Sequence, residues 1–480
     1  MPIKFTKLAT DALNDRYLHR DAQGNITETP EEMFRRVAKH AASAEPCESD
    51  RKFFEELFYQ AMANLDFLPN SPTLMNAGRP APHGQLAACF VIGIEDDMNS
   101  ITKALTKQML IHKTGGGTGF NFSKLRPANA TVNSTNGRAS GPVSFMRLFD
   151  LSTEIIQQGG MRRGANMAIL NADHPDIEQF ISCKDKEGVI TNFNLSVGIT
   201  DDFMRRATTQ PFSREAHILE EIAAHAWKTG DPGVVFIDAL NRDNPCPEYG
   251  PIEATNPCGE SPLLADEACN LGSINLGHYV KNGRIDFDRL KGTVNLAVRF
   301  LDDIITVGQY PLPEIEAAVK RTRKIGLGIM GWADMLYQLH IPYDTKEARD
   351  TARQIMAVID ASAKGESYRL ADIKGSYNGD RQKPRNATRT CIAPTGTLAI
   401  LADASSGIEP MFSNYHTRKM TTQSGETKEY TVFNKHYEQL IADPKITDDE
   451  IAQICKTAYT VAPLDHIRMQ AAFQQQTDLA

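Results

Sequence analysis

Ala254-Thr255-Asn256-Pro257-Cys258-Gly259-Glu260 sets a thiol between an amide and a carboxylate, each two residues away. Eleven residues on, a second thiol opens Cys269-Asn270-Leu271-Gly272-Ser273-Ile274-Asn275-Leu276. A third, Cys89, lies far upstream in Ala87-Ala88-Cys89-Phe90-Val91. Singly, each has an ordinary reading. A lone cysteine is usually a small buried hydrophobe, and Asn-Pro beside Gly is usually a turn. Together, three thiols, an amide and a carboxylate suit a reaction that needs a sulfur-centred radical, a general base and two reducing electrons.

The rest of the chain sets bounds on that reaction. Its 480 residues suffice for two to four domains or one large barrel with additions. Hydrophobic residues make up 41% and charged residues 23%, an ordinary globular balance. A net charge of -8 argues against a nucleic-acid groove as the main feature, though not against a local pocket for one nucleotide. The N-terminus lacks the apolar core of a signal peptide, and no apolar run approaches the ~20 residues of a membrane span. The expected location is the cytoplasm. None of the eight cysteines forms a CxxC pair or a zinc spacing with histidine, so no protein-held metal is expected. Cys47, Cys183, Cys246, Cys391 and Cys455 read as buried structural thiols.

Along the chain, residues 1–80 read as helical. Thr29-Pro30-Glu31-Glu32 forms a capping box with Pro at the first helical position. Met33, Val37 and Ala41 then mark one apolar face, and Phe53, Phe54, Leu57, Phe58 and Ala61 another. Ser71 to Gly78 reads as a loop whose hydroxyls and amides could hold a phosphate. Residues 86–94 read as a strand, and Asp96 to Ser100 as the cap of a helix ending near His112. Lys113-Thr114-Gly115-Gly116-Gly117-Thr118-Gly119 looks like a phosphate loop but lacks the Walker A ending; it is either a ligand-hugging loop or a strained turn. Strands are expected at 120–125, 167–170, 191–198, 234–237 and 388–393. Helices are expected at 144–156, from 174, at 288–307, 346–371 and 464–475. This alternation indicates an α/β layout. Gln157 to Asn166 sets Arg162 and Arg163 between glycines, a pattern suited to phosphates or base edges.

The cysteine–carboxylate set matches one hard reaction, replacement of an unactivated ribose 2′-hydroxyl by hydrogen. A radical at C3′ labilises the adjacent C–O bond. A thiyl can take and return the 3′ hydrogen, a carboxylate can accept the 3′-OH proton, and two thiols within about 7 Å Cα to Cα can close a disulfide. On these motifs the chain closely resembles the catalytic chain of ribonucleotide reductases, specifically the adenosylcobalamin-dependent class II. The resemblance implies a ten-stranded α/β barrel over 81–480, short of its last strand, behind an N-terminal helical domain over 1–80. It makes Cys258 the radical thiol on a finger loop near 254–262, Glu260 the base, Asn256 the positioner, and Cys89 with Cys269 the reductants. The expected substrate contacts are Ser71, Thr73, Ala88, Gly117, Pro394, Thr395, Gly396 and Thr397. Asp96, Arg126, Arg162 and Arg163 are the expected effector-linked residues. The cofactor implied is adenosylcobalamin. The partners implied are a ribonucleotide, by resemblance a diphosphate, a dNTP effector, a thioredoxin-like or glutaredoxin-like reductant and a second copy in a homodimer.

Three departures qualify this. There is no Asp-x-His-x-x-Gly motif, so no lower-ligand histidine for cobalamin is implied. There is no N-terminal ATP cone. The last barrel strand and the C-terminal cysteine pair should lie beyond residue 480, so the chain reads as truncated or as one half of a split enzyme completed by a second chain. Two other readings compete. One is a class I large subunit that needs a radical-generating partner; the other is a non-catalytic dNTP-binding regulator.

Overall fold

The computed structural model describes residues 3–79, 84–132, 136–156, 164–380, 382–422 and 425–479. In chain order its principal strands are β1 (Phe67–Pro69), β2 (Cys89–Val91), β3 (Gly117–Asn121), β4 (Asn166–Asn171), β5 (Phe193–Ile199), β6 (Gly233–Phe236), β7 (Ala254–Thr255), β8 (Pro262–Leu263), β9 (Glu267–Asn275) and β10 (Ile325–Met330). The chain divides into two compact units. One comprises Met1–Ala87, Asn270–Gln309 and Lys320–Ala480, the other Ala88–Cys269 and Tyr310–Val319.

In the second unit, β2, β3, β4, β5 and β6 lie side by side, all parallel. Glu267–Cys269 at the start of β9 runs antiparallel to β2. Parallel strands need crossovers, and helices α5 (Met98–Lys113) and α6 (Pro142–Ile155) supply two of them. Asp97 caps α5 as expected, its carboxylate accepting from the amides of Asn99 and Ser100. The core between helices and strands is aromatic: Phe120, Phe122, Phe149 and Phe193 are all buried, with ring centroids 5.0 to 6.3 Å apart. The strand expected at 120–125 begins earlier, at Gly117, because the glycine run itself is extended.

In the first unit, Asn270–Asn275 of β9 pairs antiparallel with β1 and parallel with β10. Parallel bridges Leu327–Thr390 and Cys391–Leu479 continue outward from β10, so the strand expected at 388–393 reduces to bridge contacts. The N-terminal helices are α1 (Lys7–Arg16), α2 (Pro30–Ala42) and α3 (Glu48–Ala63). The capping box of α2 is present, and Met33, Val37 and Ala41 are buried. On α3 only Phe58 and Met62 are buried and Phe53 is exposed. Phe53 and Phe54 are consecutive, about 100° apart around a helix, and cannot share a face. Ser71 to Asn76, expected as a loop, is a short helix α4 capped by the Asn70 side chain. Two long helices, Phe287–Val307 and Lys346–Lys374, match the amphipathic segments read from sequence.

Of the five cysteines expected to be buried, Cys246, Cys391 and Cys455 are. Cys183 is half-buried. Cys47 is exposed because it stands just before α3. No helix among the described residues is long and apolar enough to cross a membrane.

Candidate active site

The stretch around Cys258 folds as a small hairpin. β7 and β8 pair antiparallel, Thr255 opposite Pro262 and Ala254 opposite Leu263. Three bonds close the tip: Asn256 N to Ser261 O at 3.3 Å, Gly259 N to Asn256 O at 3.0 Å, and Ser261 N to Asn256 Oδ1 at 2.9 Å. Gly259 has φ +89°, a conformation that favours glycine. The hairpin lies on β3, whose glycines make room for it. A Cβ on Gly119 would fall 1.7 Å from the Thr255 carbonyl oxygen, and one on Gly117 2.7 Å from Pro257 Cγ. Asn194 Nδ2 donates to Pro257 O at 2.7 Å, and Asn121 Nδ2 to Glu253 O at 2.8 Å. In the run from Gly115 to Gly119, Gly117 and Gly119 thus have the hairpin against them. Gly119 makes room for the Thr255 backbone and Gly117 for the Pro257 ring.

Within this frame three side chains meet. The Asn256 amide is oriented, because its Oδ1 accepts from Ser261 N. Its Nδ2 therefore faces the site, donating to Glu260 Oε2 at 2.6 Å and to Cys89 Sγ at 3.1 Å. Cys89 Sγ lies 3.8 Å from Glu260 Oε1. Cys89 and Cys269 are direct cross-strand partners on β2 and β9. Such partners have Cα atoms about 4.5–5.5 Å apart, inside the ~7 Å that a disulfide tolerates. Both are buried thiols, whereas Cys258, at the hairpin tip, is exposed. The arrangement combines an accessible thiol, a carboxylate held by an oriented amide, and two thiols placed to oxidise as a pair.

Ala88 and Gly117 adjoin this cluster. Ala88 N donates to Cys269 O at 3.4 Å, and Gly117 N donates to Ala88 O at 2.9 Å. Asp96 and Arg126 pair with each other, Nε to Oδ2 at 2.7 Å, on the surface of the same unit. The remaining expected contacts belong to the other unit. The Ser71 hydroxyl lies 2.8 Å from the Tyr17 hydroxyl. Thr73 is buried and donates to Leu86 O at 3.1 Å. Thr395, at φ +53°, accepts from Gly407 N at 2.8 Å, and Gly396 and Thr397 begin the helix that Pro394 precedes. Arg162 and Arg163 lie outside the described residues. Asn194 and Asn121, which hold the hairpin down, were missed by sequence reasoning. An amide is too common in strands to signal such a role.

Two family models match the chain. The model described as "Ribonucleotide reductase, barrel domain" matches residues 87–214, 212–384 and 378–480, and "Ribonucleotide reductase, all-alpha domain" matches residues 3–82. The chain belongs to the ribonucleotide reductase family. It is 41% identical to a vitamin B12-dependent ribonucleoside-diphosphate reductase of Thermoplasma acidophilum, over 99% of this chain and 74% of that protein. It is 42% identical to a protein of the same name from Mycobacterium tuberculosis, over 100% of this chain and 74% of that one. Among solved structures, the class Id ribonucleotide reductase alpha subunit of Actinobacillus ureae superposes with a TM-score of 0.82 at 23% identity, covering 99% of this chain and 90% of that one. That likeness establishes the α/β fold of the family.

Proposed function

We propose that this ribonucleotide reductase chain reduces ribonucleoside diphosphates to 2′-deoxyribonucleotides with adenosylcobalamin as cofactor, so supplying precursors for DNA synthesis in the cytoplasm. The observation that carries the reading is the Asn256 amide, bonded at once to Cys89 and Glu260, with Cys269 opposite Cys89 and Cys258 exposed. The 41–42% identity to vitamin B12-dependent enzymes favours this cofactor over a radical-generating partner protein. The site fits the cofactor in one respect of its own: Cys258 is exposed and can face a bulky group. When bound, adenosylcobalamin supplies the one-electron oxidation that converts the Cys258 thiol to a thiyl.

From there the chain's own residues carry the chemistry. The Cys258 thiyl takes hydrogen from C3′, and Glu260 accepts the 3′-hydroxyl proton. The 2′-hydroxyl leaves as water, with a proton from the Cys89–Cys269 pair. That pair gives two electrons, delivers its second hydrogen to C2′ and closes a disulfide, while Glu260 returns its proton to the 3′ oxygen. Cys258 returns its hydrogen to C3′ and is again a thiyl. The net change is ribonucleotide plus two thiols to deoxyribonucleotide, disulfide and water. A thioredoxin-like or glutaredoxin-like dithiol reopens the disulfide by exchange. Residues 1–80 serve as a helical support domain and 81–480 as the barrel. Ser71, Thr73 and 394–397 are the proposed phosphate contacts, and Asp96 with Arg126 part of a dNTP effector site.

The deciding test is an anaerobic assay with CDP, dithiothreitol and adenosylcobalamin. Wild type should form dCDP, and Cys258→Ser should form none while still binding nucleotide. Equal turnover by Cys258→Ser would sink the radical assignment. Turnover only with an added radical-generating protein would move the chain to class I.

A further inference from the structure

On the far face of β3 from the finger hairpin lies a closed ring of buried polar side chains for which the chemistry above has no use. Thr118 stands between Gly117 and Gly119. Its side chain therefore leaves the strand on the face opposite the one those glycines open to the hairpin. Thr118 Oγ1 donates to Asn166 Oδ1 at 2.7 Å and lies 3.1 Å from His112 Nε2. Asn166 Nδ2 donates to Thr153 Oγ1 at 2.9 Å and to Asn192 O at 3.2 Å, which fixes the amide and leaves Oδ1 to accept. The imidazole thus bridges Thr118 on one side and the Ala165 backbone and Thr153 on the other. Thr153 Oγ1 completes the ring 3.5 Å from His112 Nδ1 and accepts from Gln108 Nε2. His112, Thr118, Asn166, Thr153 and Gln108 are all fully buried.

A ring of this kind is a poor way to stabilise a core. An incompletely satisfied polar network is worse than an apolar one, and among the described residues Gln108 Oε1 has no hydrogen-bond partner. What such a ring does give is a unique register. It ties the last turn of α5 to β3 and β4 at one height. There is no slack beside it, since a Cβ on Gly164 would lie 2.6 Å from His112 Nδ1. Burial holds the imidazole at about 4, so it stays neutral.

Resting on the reading of Cys258 as the radical thiol, we propose that His112 is a positioning residue: through Thr118 it fixes β3 beneath the finger hairpin, and so sets Cys258 against Cys89 and Glu260. The path is short. His112 holds Thr118. The glycines on either side of Thr118 carry Thr255 and Pro257, and Pro257 is bonded to Cys258. Because His112 belongs to α5, a displacement of that helix reaches the radical site without passing through solvent.

The test uses the full chain with His112→Leu, which cannot hydrogen-bond, and His112→Gln, whose side-chain amide can stand near the lost Nε2. The first readout is the rate of Cys258 alkylation by iodoacetamide, with exposed Cys47 as the reference in the same molecule. The second is kcat and KM for CDP reduction. His112→Leu should change the Cys258 to Cys47 ratio severalfold and lower kcat about 10- to 100-fold, with KM within about twofold. His112→Gln should restore both. Wild-type ratio and kcat in both variants would overturn the proposal, as would a His112→Gln no better than His112→Leu. Should His112→Leu fail to fold, Thr118→Val removes the same link with a near-isosteric side chain and is judged by the same outcomes. A changed alkylation ratio in a chain whose wild type makes no dCDP would leave this inference standing and remove the reductase reading instead.

Discussion

Glu260 divides its carboxylate between Asn256 Nδ2 and Cys89 Sγ, so its two oxygens have different neighbours. A glutamine in its place keeps an oxygen for the Asn256 amide but cannot take a proton. Glu260→Gln is therefore expected to lower kcat for CDP reduction by about 10²- to 10⁴-fold while nucleotide affinity stays near wild type. Steady-state kinetics beside equilibrium binding would check this, and an undiminished kcat would remove the base role. His112 makes a second prediction at this scale. Burial lowers its imidazole from the ordinary 6.5 to about 4. The unfolded chain takes up a proton below pH 6.5 that the folded chain refuses until about pH 4. Stability from this residue is thus complete above pH 6.5 and is lost as pH falls through that window, by about 3 kcal/mol in all. His112→Gln cannot titrate. Denaturation at pH 7 and pH 4.5 should show the wild-type advantage over the variant shrinking by about 2–3 kcal/mol. Equal acid losses in the two proteins would exclude the imidazole as the cause.

The finger hairpin is the element on which the site depends, and its support is a strand that reads poorly as a strand. Gly-Thr-Gly in β3 lacks the side chains that usually mark one. The reason is steric: a backbone from residues 254–257 passes where side chains would be. Gly119→Ala tests this directly. Its Cβ would fall 1.7 Å from a carbonyl oxygen rather than against a flexible side chain, so the hairpin must lift. The expected outcome is loss of CDP reduction with Cys258 alkylated faster, in a protein whose far-UV circular dichroism is retained. Full activity in that variant would show that the hairpin has another seat. The helix caps at Thr29 and Asp97 were legible because capping is local chemistry. β9 and β10 escaped notice: buried on every residue, they show no alternation to read.

For the molecule as a whole, α5 and α6 pack together and leave Met109, Leu110, Leu148, Leu151 and Ile155 exposed, Ile155 at 70%. Apolar exposure on paired helices is the kind of surface that the homodimer expected from the sequence would cover. Leu151→Glu with Ile155→Glu is expected to shift the chain from dimer to monomer in sedimentation velocity while leaving its melting behaviour near wild type. A chain that is monomeric before substitution would refute the homodimer. Because α5 carries His112 at its inner end, the same pair of substitutions is a natural partner for the alkylation measurement above.

The sequence alone was enough to propose the reacting groups. Radical chemistry on a sugar needs particular residue types, and Asn256, Cys258, Glu260, Cys89 and Cys269 are those types at telling spacings. What no spacing could supply was the meeting of residues 89 and 269, which depends on antiparallel register between β2 and β9. Nor could it supply the meaning of the glycine run or of the ring behind it. Those follow from which backbone lies against which, and contact between distant segments is decided only when the chain packs.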